Sequence, residues 1–228
     1  MEKNYDVKFE IAGPAAMFTR PDTGSTPISY PVPTASAAKG LFEAVLRRPH
    51  IYVQPTFIEI YKPVRFERYI TNYRGPLRKG KDIRQGNSYQ LIATILVDVF
   101  YRIHGRIRMK QMSTRGKGEE QIRRRRGRDW RPRFKELFED RLERGQTYYT
   151  PCLGWKEFAP NYFGPTRDRD DKGQRVRPVR TGEIHIPAML ISMWDHRHYQ
   201  PSFRERWIVD GLMSYEHERP AEDMPDAE

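Results

Sequence analysis

A chain of 228 residues is long enough to bury a full core, either as one large domain or as a compact pair of small ones. Its 41 Lys and Arg against 30 Asp and Glu leave a formal charge of +11, which points to a polyanionic partner. The longest apolar run, Leu91 to Val97, is too short to cross a bilayer, which turns the expectation from membrane to nucleic acid, and the single Cys152 excludes an internal disulfide and a Cys-rich zinc site.

Tyr5, Val7, Phe9 and Ile11 alternate with Asp6, Lys8 and Glu10, the two-residue period of a strand with one buried face, and Gly13-Pro14 is its expected end. Residues 15–29 read as a loop, with Phe18 and Tyr30 large enough to pack over the next helix. In the stretch S-Y-P-V-P-T-A-S-A-A-K-G-L-F-E-A-V-L-R-R, Pro31 and Pro33 force extended backbone and Thr34 or Ser36 can cap a helix start. The predicted helix runs from about Ala35 to Arg48. Ala37, Ala38, Leu41, Phe42, Val45 and Leu46 share one face, and Lys39, Glu43 and Arg47 line the other. Gly40 reads as a place where another backbone comes close. Ile51 to Tyr61, interrupted by Pro55, reads as an edge strand or two short ones.

Residues 62–84 carry eight basic and two acidic residues around Gly75-Pro76 and suggest a protruding hairpin. Gln90 to Ile103 is nearly continuous in apolar content, as in a central strand. Residues 106–135 then hold thirteen basic and three acidic residues, nearly the whole net charge of the molecule. S-T-R-G-K-G-E-E within it is expected to be disordered without a ligand. A second helix is predicted from Pro132 to Arg144, with Phe134, Leu137, Phe138, Arg141 and Leu142 on one face and Gly145 as its stop. Thr147 to Phe158 reads as a strand or strand pair.

The order β, α, β, hairpin, β, α, β predicts an α+β fold with two helices on one face of an antiparallel sheet, the ferredoxin-like or RNA-recognition arrangement, over residues 1–160. Within it lie a thumb hairpin at about 62–90 and a basic arm at about 106–131. Residues 161–228 are expected to form a small C-terminal antiparallel β-sheet, with strands at Glu183 to Trp194 and Ser202 to Tyr215 and an acidic tail from Glu216.

The two basic, glycine-punctuated segments carry the main functional signal, because Arg and Lys neutralise phosphates while Tyr69, Tyr73 and Trp130 offer faces for unstacked bases. Together with the first helix they give the candidate RNA contacts Lys39, Arg47, Arg48, Arg68, Tyr73, Arg74, Arg78, Lys79, Lys81, Arg84, Arg108, Arg123, Arg124, Arg125, Arg126 and Arg128. No cofactor or metal is expected: His196-x-His198 lacks further ligands, and Arg167, Arg169 and Lys172 interleave with Asp168, Asp170 and Asp171. Metal-free RNA cleavage needs a base near the 2′-OH, a cation for the phosphorane and a donor for the leaving 5′ oxygen. Arg133, Tyr148 and Tyr149 around the second helix supply such groups, and His104 is either a general base or a packing residue. The single cysteine fits a reducing cytoplasm, and the first residues hold no apolar export signal.

Four ordered motifs carry a resemblance: A-M-F-T-R-P, the S-Y-P-V-P-T-A-S-A-A-K-G-L-F-E-A-V stretch, I-R-Q-G-N-S-Y-Q-L with V-D-V-F-Y-R-I-H, and R-L-E-R-G-Q-T-Y-Y-T-P-C-L-G-W-K-E-F. They resemble the Cas-five family of CRISPR-associated proteins, subtype d (also called c) of type I-C systems, within the RAMP superfamily. The resemblance implies a ferredoxin-like domain with a thumb and a small C-terminal sheet. It implies binding of CRISPR repeat RNA, retention of the guide's 5′ handle in the Cascade surveillance complex, and contacts with the large subunit, the Cas-seven backbone subunits and double-stranded DNA. It further implies metal-independent cleavage of the precursor; the alternative is a non-catalytic assembly subunit served by another processing enzyme. The family's active-site Tyr aligns with Leu46, and its Lys-His pair aligns with Arg133-Phe134.

Replacing Arg123 to Arg126 by Ala is expected to weaken binding across many RNAs and to flatten its salt dependence by up to about 0.7 log units per lost single-strand phosphate contact. Anisotropy titrations over a salt series check this, and an unchanged slope refutes it.

Overall fold

The computed structural model describes residues 5–73, 80–85, 89–109, 129–168, 176–195 and 198–216. Their elements are β1 (Asp6–Ala16), α1 (Ala35–Val45), β2 (Ile51–Ile60), β3 (Phe66–Tyr73), α2 (Gly80–Arg84), β4 (Tyr89–Met109), α3 (Arg131–Glu143), β5 (Tyr162–Gly164), β6 (Glu183–Asp195), β7 (His198–Val209) and β8 (Leu212–Ser214). The architecture is mixed, with two longer helices and a sheet whose strands pair antiparallel.

β4 organises the sheet because it is 21 residues long and has partners on both edges. One edge meets β1, from Leu96 opposite Ala16 to Arg106 opposite Asp6. The other meets β3 along its first half and β2 along its second. The sheet runs β5-β1-β4-β2-β8-β7-β6, with β3 on β4 beside this path. The changeover on β4 comes at Asp98, which has φ 53° and whose carboxylate accepts hydrogen bonds from Lys62 and, at 3.0 Å, Arg65.

Alternation along the strands then decides what each face sees. Phe9, Ile103 and Ile58 lie opposite one another across β1, β4 and β2 and are fully buried. The helices cover this face. Phe42 of α1 meets Phe9 edge-on at 4.8 Å and Phe138 of α3 at 5.8 Å. Gly105 of β4 makes room for that helix, since a Cβ there would lie 2.8 Å from the Phe42 ring and 2.5 Å from Val53. The intervening residues Arg102, His104 and Arg106 face the opposite side, with Glu10, Lys8 and Asp6 beside them on β1 and Glu59, Phe57 and Gln54 on β2.

Of the two expected caps, Thr34 serves α1, its hydroxyl accepting from Ala37 N at 3.3 Å. The helix stops at Val45, short of the predicted Arg48, because Leu46 turns to extended backbone to bury its side chain while Arg141 Nε donates to Val45 O at 2.7 Å. β1 continues through Gly13-Pro14 to Ala16. β2 is neither an edge strand nor two strands: a register shift between Pro55 and Phe57 absorbs the proline, and β8 pairs beyond it. That β8 pairing also joins the C-terminal strands to the main sheet, where a separate small sheet was expected. Gly40 admits no close backbone, since a Cβ there meets nothing within 4 Å.

Residues 147–158 hold no strand. Leu153 instead pairs its carbonyl with Met17 N at 2.8 Å, and Gly154, at φ +91°, passes so close that a Cβ would stand 1.8 Å from Met17 O. Both the left-handed backbone and the contact require glycine. Gly154→Ala is therefore expected to cost at least about 2 kcal/mol, lowering Tm by roughly 4–8 °C. A thermal melt within about 1–2 °C of wild type, on the same size scaling, would refute this account.

Candidate functional site

The face of the sheet away from α1 and α3 carries a polar network that begins at Glu10. This side chain is fully buried in the middle of β1. Arg102 reaches its Oε1 from the neighbouring strand at 2.7 and 3.1 Å, and Arg167 reaches its Oε2 at 3.2 Å from the loop after β5. The Arg167 main chain joins in, its N–H donating to Glu10 and its carbonyl accepting from Arg102. Arg102 also lies 3.6 Å from Glu59, which accepts from the Tyr61 hydroxyl and sits 2.5 Å from His104 Nε2. Burying charged groups is tolerable only when each finds such partners.

His104 stacks on Phe57 with ring centroids 3.9 Å apart. Burial pushes its pKa down and the Glu59 carboxylate only partly restores it, so the imidazole is neutral at pH 7, and Glu59 selects the tautomer with the proton on Nε2. For Glu59 itself, burial raises the pKa, but hydrogen bonds from His104 and Tyr61 and the nearby Arg102 outweigh it and hold the carboxyl below its usual range. The phenol of Tyr61 is pushed up by burial and by its bond to Glu59. His104 borders an open cleft of about 430 Å³, walled also by Lys8, Lys135, Glu139 and Thr166. The cleft exists because β5 pairs β1 only over Glu10–Ala12, leaving the edge at Asp6–Lys8 open toward α3.

The other candidate catalytic groups lie elsewhere. Arg133 is exposed and pairs with Glu136 on its own helix at 3.1 Å. Tyr148 and Tyr149 rest on α1, through Tyr148 N to Ala44 O at 2.7 Å and the Tyr149 hydroxyl to Gly40 O at 2.6 Å, and so lie across the sheet from His104. Among the described residues no hydrogen bond, ion pair or ring contact joins any two of the four. Leu46 and Phe134 are core residues, 2% and 4% exposed.

Of the candidate RNA contacts, Lys39 pairs with Glu43 at 3.8 Å and lies over the Tyr52 ring, whose cross-strand neighbour is Arg108. Arg108 donates to Gln54 at 3.2 Å. Arg47 and Arg48 are exposed just past α1, Arg68 is exposed on β3, and Lys81 and Arg84 are exposed on α2. Arg74, Arg78, Lys79, Arg123, Arg124, Arg125, Arg126 and Arg128 lie outside the described residues, as does the Tyr73 side chain. So does His196 of the His-x-His pair.

Sequence reasoning missed Glu10, Lys8, Glu59, Arg102 and Arg167. The available signal was charge inside strands that are otherwise apolar, namely Glu59 in β2 and Arg102 in β4. Glu10→Ala removes the buried carboxylate that both guanidinium groups share, although Arg102 keeps Glu59, and is expected to cost roughly 3 kcal/mol. Urea denaturation measures it; a loss below about 1 kcal/mol would place the network outside the structural core.

Among the described residues no helix is long and apolar enough to cross a membrane. The described residues also contain no group of three or more His, Cys, Asp or Glu able to hold a metal ion. In comparison with known proteins, the model of the Cas5d family, described as CRISPR-associated protein (Cas_Cas5), matches residues 6–227. A Thermus thermophilus protein named CRISPR pre-crRNA endoribonuclease Cas5d is 32% identical over 164 residues, covering 70% of this chain and 63% of the relative, so the match spans less than two thirds of that protein. A Mannheimia succiniciproducens protein of the same name is 30% identical over 179 residues, covering 72% of this chain and 74% of the relative. A solved structure described as a CRISPR-associated protein superposes with a TM-score of 0.65 at 17% identity, covering 93% of this chain and 92% of the other, a likeness of fold. The extent of the family match and the identity to these relatives carry one conclusion: this chain belongs to the Cas5d family of CRISPR-associated proteins.

Proposed function

We propose that this chain is the type I-C Cascade subunit that binds CRISPR repeat RNA, holds the 5′ handle of the guide and cuts the precursor within the repeat without a metal. Membership of a family whose relatives are named pre-crRNA endoribonucleases supports the reading. The observation that carries it is the neutral His104, oriented by Glu59, on the wall of a cleft flanked by Lys8 and Lys135. In this reading the free ring nitrogen of His104 takes the proton of a 2′-OH, and that oxygen attacks the adjacent phosphorus. The bond from phosphorus to the 5′ oxygen breaks, leaving a 2′,3′-cyclic phosphate. Lys8, opposite His104 on β1, and Lys135 stabilise the added negative charge, and one of them protonates the departing oxygen.

The same proposal takes the strand order β5-β1-β4-β2, with α1 and α3 as crossovers on one face, as a ferredoxin-like core. It takes the β3–β4 ribbon as the thumb and, in place of the expected 106–131, only the basic segment between β4 and α3 as an arm along the RNA. Because β5 completes that core, the boundary set at residue 160 moves to about 164, and the remainder serves contacts with the large subunit, the Cas-seven subunits or double-stranded DNA. A second reading, a binding and assembly subunit whose guide is matured by another enzyme, is favoured by the burial of Leu46 and Phe134 where the family places its Tyr and His.

Incubation with the chain's own repeat RNA in EDTA, read on a denaturing gel, separates the two. The expected result is one cut, blocked by a 2′-deoxy at the scissile nucleotide and slowed at least about 100-fold in His104→Gln, while Arg133→Ala retains it. Because the base must be neutral, the rate is expected to fall on the acid side of a pKa below the ordinary histidine value. Tight binding without a cut by the wild type would instead establish the assembly reading.

A further inference from the structure

The exposed tyrosines on the helix-bearing side are a feature that the cleft does not use. Tyr148 and Tyr149 are 54% and 49% exposed. They are nevertheless held firmly. Gly145, at φ +64°, ends α3, and Gln146 N donates to Arg141 O at 2.8 Å, which turns the chain back toward α1. Tyr148 is then fixed by its N–H on Ala44 O and Tyr149 by its hydroxyl on Gly40 O. Arg141, anchored on Val45 O, sets its guanidinium 4.4 Å from the centre of the Tyr148 ring. Gly40 contributes bare backbone beside Tyr149, with open space where a side chain would stand.

This arrangement suits stacking better than proton transfer. The Tyr149 proton is committed to a carbonyl, and burial pushes its pKa up, so the phenol is a poor base. The Tyr149 ring, tied through its hydroxyl to Gly40 O, and the Tyr148 ring, resting against Arg141, have already lost part of the rotamer freedom that binding would otherwise cost. Charges stand alongside: Glu43 and Arg47 both act on the Tyr149 phenol, and Lys39, one residue before Gly40, pairs with Glu43 at 3.8 Å, so the cations Arg47 and Lys39 flank a single carboxylate. Exposed aromatic faces with cations beside them are what unpaired nucleobases on a phosphate chain require.

We propose that Tyr148 and Tyr149 form a stacking platform for unpaired bases of the bound RNA, fastened to α1 and separate from the His104 cleft at the β1 edge, with Arg47 and Lys39 taking neighbouring phosphates. The inference rests on the RNA-binding reading and adds a position on the protein surface to it.

Two measurements test it. In anisotropy titrations with single-stranded repeat RNA, Tyr148→Leu/Tyr149→Leu is expected to bind about tenfold or more weakly with an unchanged salt slope, because stacking is lost and no phosphate contact is. Tyr148→Phe/Tyr149→Phe keeps the rings and is expected to stay within about threefold of wild type. In parallel, wild-type protein is irradiated with repeat RNA carrying 5-iodouridine at successive positions, and a crosslink to Tyr148 or Tyr149 is expected from at least one. Full affinity in the Leu variant, equal losses in the Leu and Phe variants, or crosslinks confined to other peptides overturns the platform while leaving RNA binding intact. The last two outcomes would respectively assign the tyrosines to hydroxyl contacts or to a protein partner. A wild type that binds no repeat RNA overturns the underlying reading as well.

Discussion

The structure depends on a carboxylate that cannot reach water. Glu10 sits in the middle of β1, and its burial is tolerable only because Arg102 arrives from β4 and Arg167 from a loop 157 residues further along the chain. That one requirement fixes several things together. It locks the register of β1 against β4, brings the segment after β5 over the sheet, and orients Arg102 so that its other side lies near Glu59. Glu59 in turn holds His104. The candidate base is thus the end of a chain of charges that starts as a folding constraint, and its position is as rigid as the network behind it.

Much of the helix-bearing face was legible in the sequence. The proline-threonine-alanine run narrowed the cap of α1 to Thr34 or Ser36, of which Thr34 serves, and the spacing identified Ala38, Leu41, Phe42 and Val45 as buried while counting the half-buried Ala37 and missing Ala44. Periodicity reads this face because burial there is a matter of local alternation. It does not read the other. Lys8 and Glu10 have the same pattern position and the same charged character, yet Glu10 is buried and Lys8 is exposed, because the loop carrying Arg167 covers only one of them. Distant cover leaves no period. The reading of residues 147–158 as a strand failed for a related reason: its tyrosines and Trp155 have the composition of a strand, but Pro151 and the left-handed Gly154 make a loop that pairs with Met17.

The candidate residues for chemistry are separated by topology. His104 belongs to an even-numbered row of β4, which faces away from α1, while Tyr148 and Tyr149 are fastened to α1 itself. No sequence spacing distinguishes these locations, since both lie next to helices or strands of similar character. Only the sheet between them does.

The Asp98 backbone has a further consequence. β4 is one strand shared by the main sheet and the ribbon it makes with β3, with Asp98 at the changeover, and the base of the ribbon is also tied down by Thr94 on Pro27 and Ser29 and by Tyr69 against Phe158. One carboxylate, 49% exposed, is shared by Lys62 and Arg65 at that changeover. Exposed ion pairs weaken with ionic strength whereas the buried Glu10 network is shielded from it. The changeover in β4 thus carries ion pairs that added salt weakens, while the body of the sheet is held by charges that salt barely reaches.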